Sequence, residues 1–463
     1  MDMKLTLAEV AALLGVPCAG GDAAVRRVVT DSRILQPGDL FIALRGEKFD
    51  GGNFAAEALR RGAAGVVLDT VQAPDLTQAI RVDDTRLALG RLAAAWRQRF
   101  AIPVVAITGS NGKTTVKEML AAILQAEAGA ADAVLATEGN LNNDIGVPLM
   151  LLRLRPQHRF AVLEMGMNHA GEIDYLTRLA RPDVALVNNA LTAHIGNLGS
   201  VEAIARAKGE IFNGLTNAGI AVFNADDDHA WLWRETNAHR SSIDFSLRQT
   251  AVVRGRYRPG SYGSALSLTL PDGECEVDLQ LPGEHNVMNA LAAAAAAFAL
   301  DISHHGIVAG LSGFGGVKGR LQRKPALHGS VFIDDTYNAN PDSVKAALAV
   351  LAQQPGRKVL VLGDMGELGT DAVAMHAQIG LAARGAGIDR LLALGDLSRE
   401  TVAAFGAGAM HFERIQELLA ELENELTAET TVLVKGSRFM QMERVVQGFM
   451  DNPAAPRSGN GEH

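Results

Sequence analysis

A glycine-rich turn with one lysine is the clearest candidate for chemistry in this sequence. Gly109, Gly112, Lys113 and Thr114 occur in TGSNGKTT, between the apolar segment IPVVAI and an amphipathic segment that begins at the lysine. The backbone N–H groups of such a turn, with the N-terminus of the following helix, bind phosphate oxygens. The lysine would reach the β- and γ-phosphates, and the Thr114 hydroxyl would hold Mg²⁺. The pattern therefore predicts an ATP site, although Ile107 stands where the standard loop has its first glycine.

The turn lies in a segment where strand patterns and helix patterns alternate. IPVVAITG, FAVLEMG, DVALVNN and GIAVFN are typical of strands, and helical patterns begin at Lys113 and Ser200. This alternation indicates a mainly parallel sheet with helices on both faces. SALSLTLPDGECEVDLQLPG has period two around a Pro-Asp-Gly turn, which predicts an antiparallel addition. The helix after the turn should pack through an apolar stripe, consisting of Val116, Met119, Leu120, Ile123 and Leu124.

The whole chain is predicted to be an α/β protein of three domains. Its 463 residues, of which 48% are apolar, are too many for one core. The pattern of residues 1–98 predicts a small N-terminal α/β module, and that of residues 99–323 predicts the central phosphate-loop domain. Residues 324–455 contain the strand patterns SVFIDDT, KVLVLGD, RLLALGD and TVLVKGS and predict a Rossmann-like doubly wound domain. Residues 456–463 are expected to be a polar tail.

Composition excludes several classes of protein. With 43 Lys+Arg against 52 Asp+Glu, the net charge of -9 offers no general electrostatic footprint for nucleic acid or an anionic membrane. Cys18 and Cys275 are far apart and fit neither a disulfide framework nor a zinc site. The longest apolar run, 290–300, is shorter than the roughly 20 residues that span a bilayer. We expect a soluble, cytoplasmic protein, without membrane insertion and monomeric.

Eight further motifs follow the phosphate loop in a fixed order. They are TEGNLNNDIGVPLMLL, EMGMNHAGEI, AKGEIF, PGEHNVMNALAA, GRLQ, DDTYNANPDS, LGDMGELG and KGSR. The series resembles the Mur ligase family, which also includes folylpolyglutamate synthetases, over nearly the whole chain. It is most similar to the members that join D-alanyl-D-alanine to UDP-N-acetylmuramoyl-tripeptide in peptidoglycan synthesis. The resemblance implies an ADP-forming amide ligase, in which the tripeptide carboxylate attacks ATP and the amine then displaces phosphate from the acyl phosphate.

The resemblance also implies roles for individual residues around the phosphates. The ATP phosphates would contact Gly109, Ser110, Asn111, Gly112, Lys113, Thr114 and Thr115. Mg²⁺ ions would be held by Thr114, Glu164, His194 and Lys208, with Lys208 carbamylated by CO₂. Glu164 also ends an apolar strand, where a carboxylate is well placed beside a phosphate loop. Without the resemblance, Lys208 would be read as an ordinary solvent-exposed lysine on a helix. An unmodified ammonium at this position would repel a metal ion.

Further implied roles concern the rest of the nucleotide and the other substrates. Arg320 matches a position near the γ-phosphate and joins Lys113, His194 and Lys208 as the candidate catalytic set. The adenine and ribose would contact Asn289, Asp335 and Tyr337. The UDP-linked precursor and the amine substrate would contact Ser32, Thr137, Asn142, Asn143, Lys435, Ser437 and Arg438.

Four alternatives are considered at this point. One is a non-catalytic nucleotide-binding protein, for which the set of Glu164, His194 and Lys208 would have to be accidental. Another is the ligase that adds the third amino acid, whose diaminopimelate-specific members carry D-N-P-R in the C-terminal domain. The corresponding loop here is YNANPDS, and a separate DNPA at 451–454, in the tail, lacks the arginine. Folylpolyglutamate synthetases lack the TDSR…PGDLFIAL module. A phosphate-loop switch would hydrolyse ATP without forming an amide. Whether the tripeptide ends in diaminopimelate or lysine stays open.

Because the candidate groups fall in two domains, the third domain is also predicted to rotate about the connection at 320–325.

Overall fold

The computed structural model describes residues 3–17, 21–46, 49–70, 76–192, 195–260 and 262–450. These residues form a four-stranded, a nine-stranded and a six-stranded sheet, together with two two-stranded ribbons. Short 3₁₀ turns occur at Ser32–Ile34, Gly51–Phe54, Ala131–Ala133, Glu210–Gly214, Leu327–Gly329, Gly369–Asp371 and Arg438–Met440. The α/β class predicted from the sequence is confirmed.

The N-terminal module is built on the parallel sheet β3-β4-β7-β8. Its strands are β1 Leu5–Thr6, β2 Ala24–Val25, β3 Val28–Val29, β4 Leu40–Ile42, β5 Arg45–Gly46, β6 Phe49–Asp50, β7 Gly65–Asp69 and β8 Ala79–Val82. Its helices are α1 Leu7–Leu14, α2 Ala55–Arg60 and α3 Thr85–Arg97. Asp84 caps α3, and at the other end the Trp96 indole donates to the Leu154 carbonyl at 3.2 Å. This helix therefore fixes the module to the central domain.

The central domain holds the nine-stranded sheet, in the order β10-β11-β9-β12-β13-β14-β15-β16-β17. The strands are β9 Val104–Thr108, β10 Val134–Ala136, β11 Phe160–Glu164, β12 Val184–Val187, β13 Ile220–Asn224, β14 Ser242–Ser246, β15 Val253–Pro259, β16 Ser264–Leu270 and β17 Gly273–Leu279. The helices are α4 Lys113–Ala128, α5 Gly146–Leu151, α6 Glu172–Ala180, α7 Ile195–Leu198, α8 Val201–Gly209, α9 Ala230–Thr236, α10 Glu284–Phe298 and α11 His304–Ser312. Pairing is parallel except for β15-β16 and β16-β17, so the predicted antiparallel addition is confirmed.

Small residues bring α4, α10 and α11 close together under this sheet. Every alanine of the run in α10 is buried, as is the predicted stripe on α4. A Cβ added to Gly310 of α11 would lie 2.3 Å from the Cα of Ile123, so the glycine lets the two backbones touch. The apolar run that falls short of a membrane span is a core helix.

The third domain is a six-stranded sheet in the order β18-β19-β23-β20-β21-β22, parallel except for β18. The strands are β18 Gln322–Pro325, β19 Val331–Asp335, β20 Arg357–Gly363, β21 Arg390–Leu394, β22 Ala409–Phe412 and β23 Thr430–Lys435. The helices are α12 Pro341–Ala352, α13 Ala372–Gly385, α14 Ser398–Phe405, α15 Ile415–Glu425 and α16 Glu443–Gly448. Because β18 belongs to this sheet, the sheet begins two residues before the expected boundary at 324.

The two large sheets direct their carboxyl ends toward one another. In the sheet, β9 has β11 on one side and β12 on the other. At such a point the connections from neighbouring strands diverge, and a crevice opens at the carboxyl ends of the strands. The ends of β19 and β23 face the same crevice, because Asp335 and Lys435 both line it. None of the helices in the described parts of the chain is long and apolar enough to cross a membrane.

Candidate functional site

A cleft of about 850 Å³ lies between the central and third domains. Its lining contains most of the residues predicted from the sequence, namely Ser110, Asn111, Gly112, Lys113, Thr114, Thr115, Asn142, Asn143, Glu164, Asn289, Arg320, Asp335, Tyr337, Lys435, Ser437 and Arg438. The fold thus brings together positions more than 300 residues apart, such as Ser110 and Arg438.

The phosphate loop is locked in place by two asparagines. Gly112 has φ +81°, and a Cβ there would lie 2.3 Å from Asn289 Oδ1 and 2.6 Å from Asn188 Nδ2. Asn188 Nδ2 donates to Asn289 Oδ1 at 2.9 Å and to the Asn111 carbonyl at 3.0 Å. Asn289 belongs to α10 and Asn188 follows β12, so the loop is fixed by two other elements. Glycine is required at this position both for its backbone angle and for space.

Lys113 is half-buried beside the loop. Its Nζ donates to the Gly109 carbonyl at 2.7 Å, at the start of α4. Burial lowers the pKa of the Lys113 ammonium, while Glu164 acts in the opposite direction and Arg320 adds to the lowering. The lysine is therefore held next to the loop N–H groups that would meet phosphate oxygens.

A buried polar cluster faces Lys113 across the cleft floor. Glu164, 3% exposed, accepts from Thr114 Oγ1 at 2.8 Å and from Asn142 Nδ2 at 2.7 Å. Arg320 Nη2 donates to the same Thr114 hydroxyl at 2.9 Å, and its guanidinium stacks 4.4 Å above the Tyr337 ring. Arg320 Nε is buried without a partner among the described residues. The cluster combines oxygen donors suited to Mg²⁺ with a cation that has a donor to spare.

Thr137 supports this cluster from behind and does not line the cleft, contrary to the expectation that it faces substrate. The side chain is 1% exposed, and its hydroxyl accepts from the Glu164 N–H at 2.9 Å. Lys117, a residue that the sequence reasoning missed, is 2% exposed and donates from Nζ to the Thr137 carbonyl at 2.6 Å. It also pairs with Glu118. A lysine at the fifth position of a helix gives no local signal of such burial.

Lys208 lies in the last turn of α8 and is buried, at 1% exposed. Burial, and secondly the charge of Lys113, lower the pKa of the Lys208 amine well below its ordinary value. Lys208 is not among the residues that line the cleft. His194, the other predicted metal ligand in this region, lies outside the described residues.

The third domain contributes a second polar cluster. Asp335 accepts from Lys435 Nζ at 2.6 Å, and the same ammonium donates to the Asn338 carbonyl at 2.8 Å. Ser437 donates to the Ala339 carbonyl at 3.1 Å and accepts from the Gly366 N–H at 2.8 Å. The loop that follows β19 is therefore held by Lys435 at the end of β23 and by Ser437 just after it.

Two predicted substrate residues keep donors directed to solvent or the cleft. Arg438 is exposed and pairs through one nitrogen with Glu443 at 2.8 Å. Asn143 Oδ1 accepts from the Gly146 N–H at 2.8 Å at the start of α5, and among the described residues its side-chain NH₂ group is left for another partner.

His285 is a cleft residue that the sequence reasoning missed. It lies one turn before Asn289 on α10, and this i,i+4 spacing within EHNVMN is a signal that could have identified it. Burial lowers the pKa of His285 to about 4, against the opposing effect of Asp335, and Lys435 adds to the lowering. The imidazole is neutral near pH 7.

Ser32 lies away from the cleft, on the N-terminal module. Asp31 caps the short turn that begins there, and the Ser32 carbonyl accepts from Arg61 at 2.5 Å. Ser32 is not one of the residues that line the cleft. A long substrate would be needed to connect it with the phosphate loop.

Three family matches cover most of the chain. Residues 24–97 match the Mur ligase family catalytic domain, residues 107–297 the Mur ligase middle domain, and residues 319–438 the Mur ligase glutamate ligase domain.

Individual relatives agree with these matches. UDP-N-acetylmuramoyl-tripeptide–D-alanyl-D-alanine ligase of Escherichia coli is 44% identical over 97% of this chain and 99% of its own length. A crystal structure of MurF from Acinetobacter baumannii superposes with a TM-score of 0.89 at 38% identity, covering 97% of this chain and 99% of that one. MurF ligase from Thermotoga maritima in complex with ADP gives a TM-score of 0.82 at 26% identity, over 92% and 97% of the two chains. On this similarity and on its three-domain fold, the chain belongs to the Mur ligase family.

Proposed function

We propose that the chain joins D-alanyl-D-alanine to UDP-N-acetylmuramoyl-tripeptide, with conversion of ATP to ADP and phosphate. The observation that carries this proposal is a single cleft in which a phosphate loop and a buried carboxylate face the cations of a second domain. The choice of substrates rests on the 44% identical ligase of Escherichia coli, which shares nearly the full length of the chain. A cytoplasmic location and a monomeric state are part of the proposal.

The arrangement suits amide formation because a carboxylate is a poor electrophile in water. In the first step, the tripeptide carboxylate oxygen attacks the γ-phosphorus and the bond to ADP breaks. In the second step, the amine attacks the acyl carbon, phosphate leaves, and the amine loses a proton. Both steps concentrate negative charge near Lys113 and Arg320, and fixed cations in a partly desolvated cleft stabilise such charge.

Mg²⁺ fits the residues at the cleft floor. Thr114 Oγ1 and the Glu164 carboxylate lie 2.8 Å apart and are hard oxygen donors of the kind that this ion prefers. We assign them as its ligands, together with His194 and a modified Lys208. When bound, the ion neutralises phosphate charge.

Carbamylation of Lys208 is proposed on the basis of its surroundings. An ammonium buried without a carboxylate partner is unfavourable, and no such partner occurs among the described residues. Burial lowers the pKa of Lys208 toward the neutral amine, and the charge of Lys113 acts in the same direction. The neutral nitrogen can attack CO₂, forming a C–N bond and releasing one proton. The product is an anionic carbamate, which replaces a charge that would repel Mg²⁺ with one that attracts it. At 4 Å and an effective dielectric of 20, this attraction is about 4 kcal/mol per pair of unit charges.

The remaining residues are assigned by their place around the cleft. Asn289, Asp335 and Tyr337 would contact the adenosine end of ATP. Asn142 and Asn143 would contact the UDP-linked precursor, whose uridine end would reach Ser32. Lys435, Ser437 and Arg438 would contact the reacting end of the precursor and the amine. Thr137 is assigned a supporting role, because it is buried.

One assay tests the proposed function. Phosphate release is measured with ATP and UDP-N-acetylmuramoyl-tripeptide, with and without D-alanyl-D-alanine, and the products are identified by mass spectrometry. The proposal predicts phosphate release that depends on the dipeptide, and a product heavier than the precursor by one dipeptide minus water. ATP hydrolysis without this product would favour a phosphate-loop switch. Ligation of a single amino acid to a UDP-dipeptide would favour the ligase that adds the third residue.

A further inference from the structure

The N-terminus of α12 contacts the phosphate loop region of the other domain. Asn340 is the N-cap of this helix, and its Oδ1 accepts from the Ser343 N–H at 2.9 Å. The amide of the same side chain is left over, and it donates to Asn111 Oδ1 at 2.8 Å. Asn111 Nδ2 returns a longer bond of 3.4 Å to Asn340 Oδ1. One residue thus caps a helix in the third domain and pairs with the phosphate loop.

A second contact lies two residues further along α12. Asp342 Oδ2 accepts from the Thr192 N–H at 3.0 Å and from the Thr192 hydroxyl at 2.5 Å. A hydrogen bond to an ionised carboxylate is roughly twice as strong as a neutral one. We call the Asn340–Asn111 and Asp342–Thr192 contacts together the α12 latch.

Both central-domain partners of the latch belong to the hydrogen-bonded surroundings of the phosphate loop. The Asn111 N–H donates to Asn189 Oδ1 at 2.9 Å. Ser110 Oγ accepts from the Leu191 N–H at 2.9 Å, one residue before Thr192. A displacement of α12 would therefore pull directly on the loop that contacts the phosphates.

The third-domain side of the latch is equally firmly connected to the candidate substrate residues. Lys435 donates to the Asn338 carbonyl and Ser437 to the Ala339 carbonyl, immediately before Asn340. The helix itself is anchored in the domain core, because Val344, Leu348 and Leu351 are buried. The latch is thus the short connection between Lys435 and the phosphate loop.

We propose that Asn340 and Asp342 are positioning residues, which hold the third domain at the distance from the phosphate loop that ligation requires. The inference rests on the proposed function. Reaction needs the attacking and electrophilic atoms within about 3 to 3.5 Å, and groups on two separate domains meet this requirement when the domains are held in register. The latch supplies that register through side chains that are hydrogen-bonded to the other domain.

The test uses Asp342→Ala, with Glu400→Ala as the matched control. Glu400 is an acid in the first turn of another third-domain helix, α14, so its removal reproduces the lost interaction with the helix dipole but not the latch. Asp342→Ala should lower kcat/KM for D-alanyl-D-alanine about tenfold to 100-fold, as expected for hydrogen bonds to a charged acceptor. The affinity for UDP-N-acetylmuramoyl-tripeptide should fall less than this, because its proposed contacts with Ser32, Asn142 and Asn143 lie outside the third domain and only its reacting end would meet Lys435, Ser437 and Arg438. Asp342→Asn keeps an acceptor oxygen and should restore most of the rate.

Thr192→Val provides the same test from the other domain. It removes the hydroxyl bond to Asp342 but keeps the backbone N–H bond, so it should reproduce part of the kinetic change. The double variant Thr192→Val/Asp342→Ala should be no worse than Asp342→Ala alone, since both changes act on the same contact. Small-angle scattering with a non-hydrolysable ATP analogue and the UDP-tripeptide adds a readout of domain position. The radius of gyration should be larger for Asp342→Ala than for wild type and Glu400→Ala.

Two results would overturn the latch. One is kinetic and scattering behaviour of Asp342→Ala that matches Glu400→Ala. The other is a loss of activity accompanied by an equal loss of UDP-tripeptide affinity and unchanged scattering, which would mark a merely structural residue. If wild type itself fails to ligate D-alanyl-D-alanine, the proposed function is wrong, and the scattering comparison still decides whether Asp342 holds the domains together.

Discussion

Substitution of Gly112 by alanine is expected to damage the phosphate loop far more than the same change elsewhere on the helix. Gly112 and Gly129 flank α4 at its two ends, with φ values of +81° and +67°. Alanine costs about 1 to 2 kcal/mol at each, because both lie in the left-handed region. At Gly129 nothing lies within 4 Å of the added Cβ, whereas at Gly112 the Cβ meets Asn289 Oδ1 at 2.3 Å.

The clash at Gly112 must be relieved by breaking the Asn188–Asn289 hydrogen bond or by moving the loop. Loss of such a bond adds about 1 kcal/mol or more, so Gly112→Ala should cost about 2 to 4 kcal/mol in total. ATP affinity, measured by isothermal titration calorimetry, should fall at least about tenfold for Gly112→Ala. Gly129→Ala should bind ATP as wild type does. Equal ATP affinities for the two variants would refute the inference that Asn188 and Asn289 fix the loop.

Three further substitutions or conditions probe the cleft. As the pH falls from 6.5 to about 4, the free energy of unfolding of wild type should decrease relative to that of His285→Gln. The reason is that the unfolded histidine binds a proton over this range, whereas the folded one, with its pKa lowered to about 4, does not. Parallel pH profiles of the two proteins in chemical denaturation would contradict this. Removal of CO₂ should inactivate wild type and bicarbonate should restore it, with Lys208→Ala inactive throughout; full activity of an enzyme whose mass shows an unmodified lysine would exclude the carbamate. Lys117→Met should lower kcat about tenfold and raise the Mg²⁺ requirement, because the support behind Glu164 is lost, whereas the exposed control Lys345→Met should do neither.

The sequence identified those features that depend on local spacing. Three such features could be predicted: the phosphate loop, the apolar stripe of α4, and the antiparallel strands β15, β16 and β17. Each depends on hydrophobic periodicity or turn residues within one short segment of the sequence. Asp335 and Lys435 were found through family motifs at strand ends, and the structure brings them within 2.6 Å of one another.

The features that were missed depend on which distant elements meet. Lys117 has the sequence context of a solvated helix lysine, and its burial depends on the strand that ends before Thr137. The latch joins Asn340 to Asn111 across 229 residues. Nothing in the periodicity of either segment encodes that approach. Thr137 was assigned to the substrate through the family motif TEGNLNND, but its hydroxyl accepts from the backbone N–H of Glu164.

Transfer of oxygen from the peptide to phosphate is the most direct test of the central claim. UDP-N-acetylmuramoyl-tripeptide is prepared with ¹⁸O in its terminal carboxylate and incubated with the enzyme, ATP and D-alanyl-D-alanine. If the carboxylate attacks the γ-phosphorus and phosphate later leaves the acyl carbon, each phosphate formed during ligation carries one ¹⁸O atom from the fully labelled carboxylate. Phosphate that contains no ¹⁸O, formed at the same rate as ADP, would show that water attacks ATP and would contradict an acyl phosphate ligase.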